Sequence, residues 1–338
     1  MAKTALVVSG GGSKGAFAVG AIQHLVQDLG LSFDIVCGTS TGALIAPFVV
    51  TGEIDELVHL YTTMKTEDIV LRRPLSSILV TDSIFDVQPL ADKVSSLMTP
   101  QRTATILGSP KQMYLATVCL QTERVTYFQT GAPGRVPDGC DLQPIQNRSQ
   151  LIRAMMGSAD MPALMPPIER VDGALPCRQY VDGGVRERAP LEVALLNGAT
   201  EIYAVVLAPK AHAPQEKKFQ DVPGILLRTI GILTDDVLLH DLLVVNTVAR
   251  SRRYLAAVRK RVGDRFNLSD TDLDALFDDP TGGAASLVGP EVTLHVVRPL
   301  GEIQLDTLTC DPVVMTQLVV DGRQRAVAAL ANPEEWLA

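Results

Sequence analysis

The chain has 338 residues, of which 46% are hydrophobic, and a formal charge of −8. That length and apolar content suit one large folded domain or two smaller ones and exclude a disordered chain. An acidic balance, with a pI near 5.2, argues against nucleic acid as a partner, because such proteins carry a basic excess.

Thr4–Val8 is rich in β-formers and predicts a strand. It is too short for the apolar region of a signal peptide, and no run approaches the roughly 18 apolar residues of a spanning helix, so a cytoplasmic location is expected. Five cysteines (Cys37, Cys119, Cys140, Cys177, Cys310), widely spread and without a C-x-x-C pair, fit reduced thiols better than a disulfide framework or a zinc site. No metal and no cofactor is expected.

After the first strand comes Ser9-Gly10-Gly11-Gly12-Ser13-Lys14-Gly15. Ala16 to Leu29 then carries apolar residues at helical spacing, with Gly30 as a stop. A second apolar run, Ile35-Val36-Cys37, meets Gly38-Thr39-Ser40-Thr41-Gly42, and Ala43-Leu44-Ile45-Ala46 opens a helix to about Val50. This opening alternates strand and helix, the order of an α/β fold whose mostly parallel sheet is covered by helices on both faces.

Residues 53–105 predict helices and loops, with Ser83–Asp86 leading into a short helix. Tyr114–Leu120 and Val125–Thr130 predict a hairpin around Thr122-Glu123-Arg124, and residues 131–147, rich in Gly, Pro and Asp, a surface loop. Ser149–Ser158 is helical and runs into prolines at 162, 166 and 167. Tyr180-Val181 then leads into Asp182-Gly183-Gly184, followed by a helix over Leu191–Leu196 and a buried strand over Ile202–Leu207.

Further on, Ile225–Val248 is apolar and helical, and the chain turns basic from Arg250 to Arg265. Acids follow at Asp270, Asp272, Asp274, Asp278 and Asp279, then a strand over Val292–Val297 and a closing helix over Val313–Leu330. No repeat or linker interrupts the chain. One domain over 1–338 is therefore expected, with a core in 1–207 and a helical extension in 208–338.

Chemistry concentrates in three places. A serine between glycines where a strand turns into a helix is a nucleophile elbow: the tight turn strains the serine, lifts its hydroxyl clear, and leaves no room for side chains at Gly38 and Gly42. Thr39 and Thr41 complete the turn around Ser40.

The glycine loop after the first strand has three readings. A Walker A loop fails because Gly15 follows Lys14 where Ser or Thr is needed. A dinucleotide fingerprint fits Gly10, Gly12 and Gly15, yet Asp34 stands at the start of the second strand, not its end, so the ribose lacks its acid. The third reading is an oxyanion hole, with glycines exposing successive N–H groups at a helix start.

None of His24, His59, His212, His240 and His295 stands where a triad histidine should. Asp182 is better placed as the base, with Gly183 and Gly184 letting its backbone approach another loop, although taken alone D-G-G reads as a simple turn.

In order and spacing, these three stretches resemble the patatin-like phospholipase family. The resemblance covers roughly residues 1–207. It implies a three-layer α/β/α fold and a Ser-Asp dyad, with Ser40 as nucleophile and Asp182 as catalytic aspartate. Gly10, Gly11, Gly12, Ser13, Lys14 and Gly15 would supply the oxyanion hole and its basic residue. The implied reaction cleaves fatty-acyl esters of phospholipids, lysophospholipids or related lipids through an acyl-enzyme.

Acyl transfer or thioester cleavage by the same dyad stays open, as do a dinucleotide-binding enzyme and a silent binding protein. The stretch from 225 to 265 is either a lid with a peripheral membrane contact or a core helix continuing into a solvated one, its arginines paired with the following aspartates.

Overall fold

The computed structural model describes residues 3–74, 81–169, 178–212, 214, 216, 218–220, 222–278, 287 and 289–332; Cys177 and Asp279 lie outside them. Strand β1 (Lys3–Val8) sets the architecture. Leu6 and Val8 enter one apolar cluster, Ala5 and Val7 enter another, and all four are fully buried. A strand that is apolar on both sides must be covered on both.

Helix α1 (Gly15–Gln23) follows, but its last turn widens into a π-helical stretch at His24–Asp28 before Gly30 turns the chain with φ +66°. β2 (Ile35–Thr39) and α2 (Thr41–Thr51) flank Ser40. The next region holds α3 (Ile54–Thr63), a ribbon of β3 (Leu71–Arg72) with β4 (Phe85–Asp86), α4 (Gln88–Leu97) and α5 (Pro100–Gly108).

β5 (Gln112–Cys119) and β6 (Val125–Thr130) form the predicted antiparallel hairpin. The expected loop over 131–147 contains a short strand, β7 (Asp141–Pro144), parallel to β6. Its residues are poor strand formers, and backbone pairing at the sheet edge orders them.

Then come α6 (Arg148–Ala159), β8 (Ile168–Glu169), β9 (Gln179–Asp182), α7 (Leu191–Leu196) and β10 (Ala199–Val205). The extension adds α8 (Val222–Phe266), α9 (Asp270–Phe277), β11 (Thr293–Val297) and α10 (Pro312–Ala331).

The sheet runs β11-β10-β1-β2-β5-β6-β7, with β9 added to β5 and β8 to β9. Five of its pairings are parallel and three antiparallel. Helices α1 to α6 and α10 pack into the cluster on one face, and α7 and α8 into that on the other. The fold is therefore α/β with a mostly parallel sheet between two helical layers.

Helix α8 departs from the core-helix reading. Leu238, Val245, Val248 and Ala249 are buried, whereas Ile225, Ile232, Leu233, Leu239 and Leu243 are about half exposed or more. Of the expected pairs between its arginines and the following aspartates, the described residues contain Arg259–Asp274 at 2.6 Å. No helix among the described residues is long and apolar enough to cross a membrane.

Candidate active site

Ser40 joins β2 to α2 at φ 57°, ψ −124°, a backbone conformation that costs an L-residue about 1–3 kcal/mol. The turn is closed by near-contact of backbones. A Cβ on Gly38 would stand 2.3 Å from the Gly42 carbonyl oxygen, and one on Gly42 would stand 2.2 Å from that of Val8. The Ser40 N–H donates to Ser158 Oγ at 3.0 Å, and Ser158 Oγ donates to the Ala116 carbonyl at 2.6 Å. A hydroxyl from α6 thus holds the strained residue against β5.

Sheet register brings Asp182 to the same spot. Along β5, β2 pairs as far as Thr39 opposite Ala116, and β9 takes over with Asp182 opposite Thr117. One strand arrives parallel to β5 and the other antiparallel, so they meet end to end. Gly183 follows where a Cβ would press within 2.4 Å of the Ala116 carbonyl.

The Asp182 N–H donates to the Asp160 carbonyl at 2.9 Å, and its Oδ1 accepts the Gly184 N–H at 2.7 Å. The Ser40 side chain is close enough to the Asp182 carboxyl to favour its charged form. Burial pushes that carboxyl up to about 6, against the Ser40 side chain, the Gly184 N–H and the nearby charge of Arg188, which pull it down. A base of that strength is ionised at neutral pH yet stronger than an aspartate in water.

The glycine loop is tied down from two sides. Gly10 N–H donates to the Arg188 carbonyl at 3.0 Å, and Arg188 Nε returns a bond to the Gly10 carbonyl at 3.2 Å. Ser13 donates its N–H and its hydroxyl to the Thr307 carbonyl, at 2.9 and 3.0 Å. The Lys14 and Gly15 amides turn back onto the loop itself. Gly11 and Gly12 are left as the loop's amides without a protein partner among the described residues. Gly12 has φ +58°, and a Cβ there would meet the Thr307 carbonyl at 2.2 Å.

Arg188 is buried and pairs with Asp235 on α8, while Asp241 of the same helix accepts the N–H groups of Arg188 and Ala189 at 2.9 and 2.8 Å. Lys14 is partly buried and has no ion pair within 4 Å among the described residues. Burial lowers its pKa first, Arg188 adds to this, and Asp235, Glu302 and Asp306 oppose it.

The sequence reading did not find Ser158, Asp160, Arg188 or Thr307. Ser158 and Asp160 end a helix just ahead of the prolines, and Arg188 lies just beyond the D-G-G turn. Proximity to the motifs was the available signal for these three; Thr307 had none.

Among the described residues no histidine bonds to Ser40. His24 pairs with Asp28, His295 with Glu201, and His212 lies between Asp235 and Glu302 at 3.4 and 3.5 Å. Asp34 spends its carboxylate on the Thr4 N–H at 2.9 Å, at the opposite end of β2 from the glycine loop. No group of three His, Cys, Asp or Glu gathers as a metal site among the described residues.

Two cavities meet at Ser40. The larger, about 1130 Å³, is lined by Lys14, Asp182, Arg188, His212, Arg228, Asp235 and Glu302 among others. The smaller, about 90 Å³, is walled by apolar side chains such as Leu44, Leu60, Met98, Met155 and Met315. Gly12, Ser40, Met161, Thr307 and Leu308 border both.

A family model described as "Patatin-like phospholipase" matches residues 6–195. The cUMP-AMP-activated phospholipase of Escherichia coli is 42% identical over 62 residues, 17% of this chain and 19% of that protein. The uncharacterized protein YjjU of Escherichia coli K12 is 25% identical over 213 residues, 61% of this chain and 52% of its own length. The chain thus spans about a fifth and about half of these two relatives. Among solved structures, VipD from Legionella pneumophila aligns with a TM-score of 0.43 at 12% identity, over 98% of this chain and 67% of that one. With the family model covering more than half of its residues, this chain belongs to the patatin-like phospholipase family.

Proposed function

We propose that the protein is a lipid acyl hydrolase that cleaves fatty-acyl esters of phospholipids or lysophospholipids with a Ser40–Asp182 dyad. The observation that carries this reading is the position of Ser40 between a small apolar cavity and a larger one of mixed lining that holds the site's charged side chains, Lys14, Arg188, Arg228, Asp235 and Glu302. A lipid ester is divided in the same way, and its scissile carbonyl lies where tail meets headgroup. In this reading the acyl chain enters between Leu44, Leu60 and the methionines, and the headgroup stays in the larger cavity.

Asp182 takes the Ser40 proton as the hydroxyl attacks the ester carbonyl, forming a tetrahedral intermediate. The amides of Gly11 and Gly12 stabilise its oxyanion, a contribution worth about 10²–10³ in rate for one such donor. Collapse expels the alcohol, which takes the proton from Asp182, and leaves an acyl-enzyme. Water then repeats the sequence and releases the fatty acid. Lys14 supplies positive potential at the cavity wall, and Gly10, Ser13 and Gly15 hold the loop in shape.

The exposed apolar residues of α8 near the larger cavity, followed by its basic end, support a peripheral contact with a lipid surface.

The test is intact mass after fluorophosphonate exposure, run beside ester turnover, on wild type, Ser40→Ala and Asp182→Asn. The proposal expects one covalent adduct on wild type, none on Ser40→Ala, and turnover lost in both variants. Labelling and turnover unchanged in Ser40→Ala would sink it.

A further inference from the structure

The end of α6 touches both members of the proposed dyad. Ser158 takes the Ser40 N–H, and two residues later the Asp160 carbonyl takes the Asp182 N–H. The Asp160 side chain has no such employment. It is fully buried, and neither carboxyl oxygen has a hydrogen-bond partner among the described residues. A buried polar group without a partner lowers stability, and an alanine at this position would not incur that cost.

Its surroundings contain little that could neutralise a charge. Helix α2 has no titratable side chain, and β5 contributes Tyr114 and Cys119. On α6 itself, Arg148 donates to the Met98 and Ser95 carbonyls and Arg153 to that of Glu169. Arg102 of α5 is engaged by Glu53 and Glu56. On α4, Asp92 accepts from Gln88 and Lys93 is partly exposed, and on β8 Glu169 is exposed. The charge that acts on Asp160 is that of Asp182, on β9.

We propose that Asp160, whose main-chain carbonyl anchors Asp182, is a positioning residue whose side chain stays a neutral, proton-bearing acid and keeps the buried pocket at one negative charge, the one Asp182 uses. The proposal rests on the Ser40–Asp182 reading for its catalytic part and on burial for the rest. Burial, followed by the charge of Asp182, pushes Asp160 up to about 8, whereas Asp182 stands at about 6. On raising the pH, Asp182 gives up its proton first and Asp160 retains its own. Ionising Asp160 as well would put a second anion beside the base and oppose the negative charge that develops on the substrate carbonyl.

Asp160→Asn keeps the shape and cannot ionise. Two profiles are recorded from about pH 5 to about pH 9, thermal unfolding and ester turnover. Folded Asp160 holds a proton that the unfolded chain releases, so wild type should lose stability as pH rises through this window. The Asn variant should lose less and melt on the order of 2–4 °C higher at pH 8. Its turnover should keep the acid limb near 6 and lack the alkaline limb, which in wild type falls about tenfold per pH unit above 8.

Asp160→Ala, equally unable to ionise, provides a second unfolding profile should Asn fold poorly. Unfolding curves for both variants that run parallel to wild type overturn the proposal. A flattened curve with an unchanged alkaline limb overturns its catalytic part. A wild type inert to fluorophosphonate and ester sinks the dyad reading instead, and the unfolding curves then decide the neutral carboxyl alone.

Discussion

Gly10 and Arg188 are joined by two hydrogen bonds, one in each direction, so the glycine loop and the segment after Asp182 move as one piece. The guanidinium that makes one of them also pairs with Asp235 on α8. Arg188→Leu removes both side-chain interactions and leaves Asp235 without that partner. Breaking a buried pair in this way costs about 3–5 kcal/mol. Chemical denaturation should show a loss at the lower end of that range, since Asp235 is partly exposed. Ester turnover at a temperature where the variant is folded should fall roughly 10–100-fold, the worth of one charged hydrogen bond at the site.

Gly12→Ala should be more damaging than its size suggests. The residue has φ +58°, and the new methyl would stand 2.2 Å from the Thr307 carbonyl. Relief requires the 301–309 segment to lift off the loop. A loss of about 1–3 kcal/mol in stability is expected, with kcat reduced far more than KM in steady-state kinetics.

Asp182 should set the acid limb of turnover. As the proposed base it must be ionised, so activity should rise with pH through about 6 to a plateau that holds to about 8. The stability effect has the opposite sign. The folded carboxyl binds its proton more tightly than the unfolded one, whose ordinary value is 3.8. Its contribution is therefore fully present below about 4 and is lost as pH rises through about 6. Asp182→Asn should unfold later than wild type at pH 7, by about 1–3 kcal/mol, while being inactive.

Filling the smaller cavity should change chain-length preference without touching the chemistry. Leu44→Trp adds bulk on its wall. Hydrolysis of long-chain p-nitrophenyl esters should drop about tenfold or more, the scale of discrimination by one or two methylenes in an apolar pocket. Butyrate ester should be cleaved at close to the wild-type rate. Equal losses on both would show that the chain lies elsewhere.

Ile232→Asp with Leu233→Asp tests the lipid contact of α8. Both side chains are exposed, so folding should be little affected. Co-sedimentation with vesicles containing phosphatidylglycerol should fall several-fold, and cleavage of a soluble short-chain ester should be unchanged.

The three motifs were legible because each follows from a local constraint. Glycines at 38 and 42 are demanded by backbone contacts of a few ångströms, and the run from Ile35 to Ala46 contains the whole strand-turn-helix. The bounds of α7 and the presence of the β5–β6 hairpin were readable for the same reason, being set by contiguous residues, although β5 runs over Gln112–Cys119 and not Tyr114–Leu120. What joins the motifs was not legible. Nothing in the letters says that β2 and β9 share one edge of β5, or that Ser158 and Asp160 each bind one half of the proposed dyad. The short strand β7 was hidden because its pairing uses backbone, and the apolar run of α8 gave no sign of which side would face solvent. Burial of Asp160 could not be anticipated either, since an aspartate before a proline-rich segment ordinarily belongs at the surface.

The bond from Ser13 to Thr307 spans 294 residues. During synthesis the glycine loop leaves the ribosome well before the carbonyl that braces it. A nascent chain that ends between the two carries the glycine loop without that brace. The loop therefore cannot take its final shape until residue 307 has been made, which makes its bracing a late event in folding.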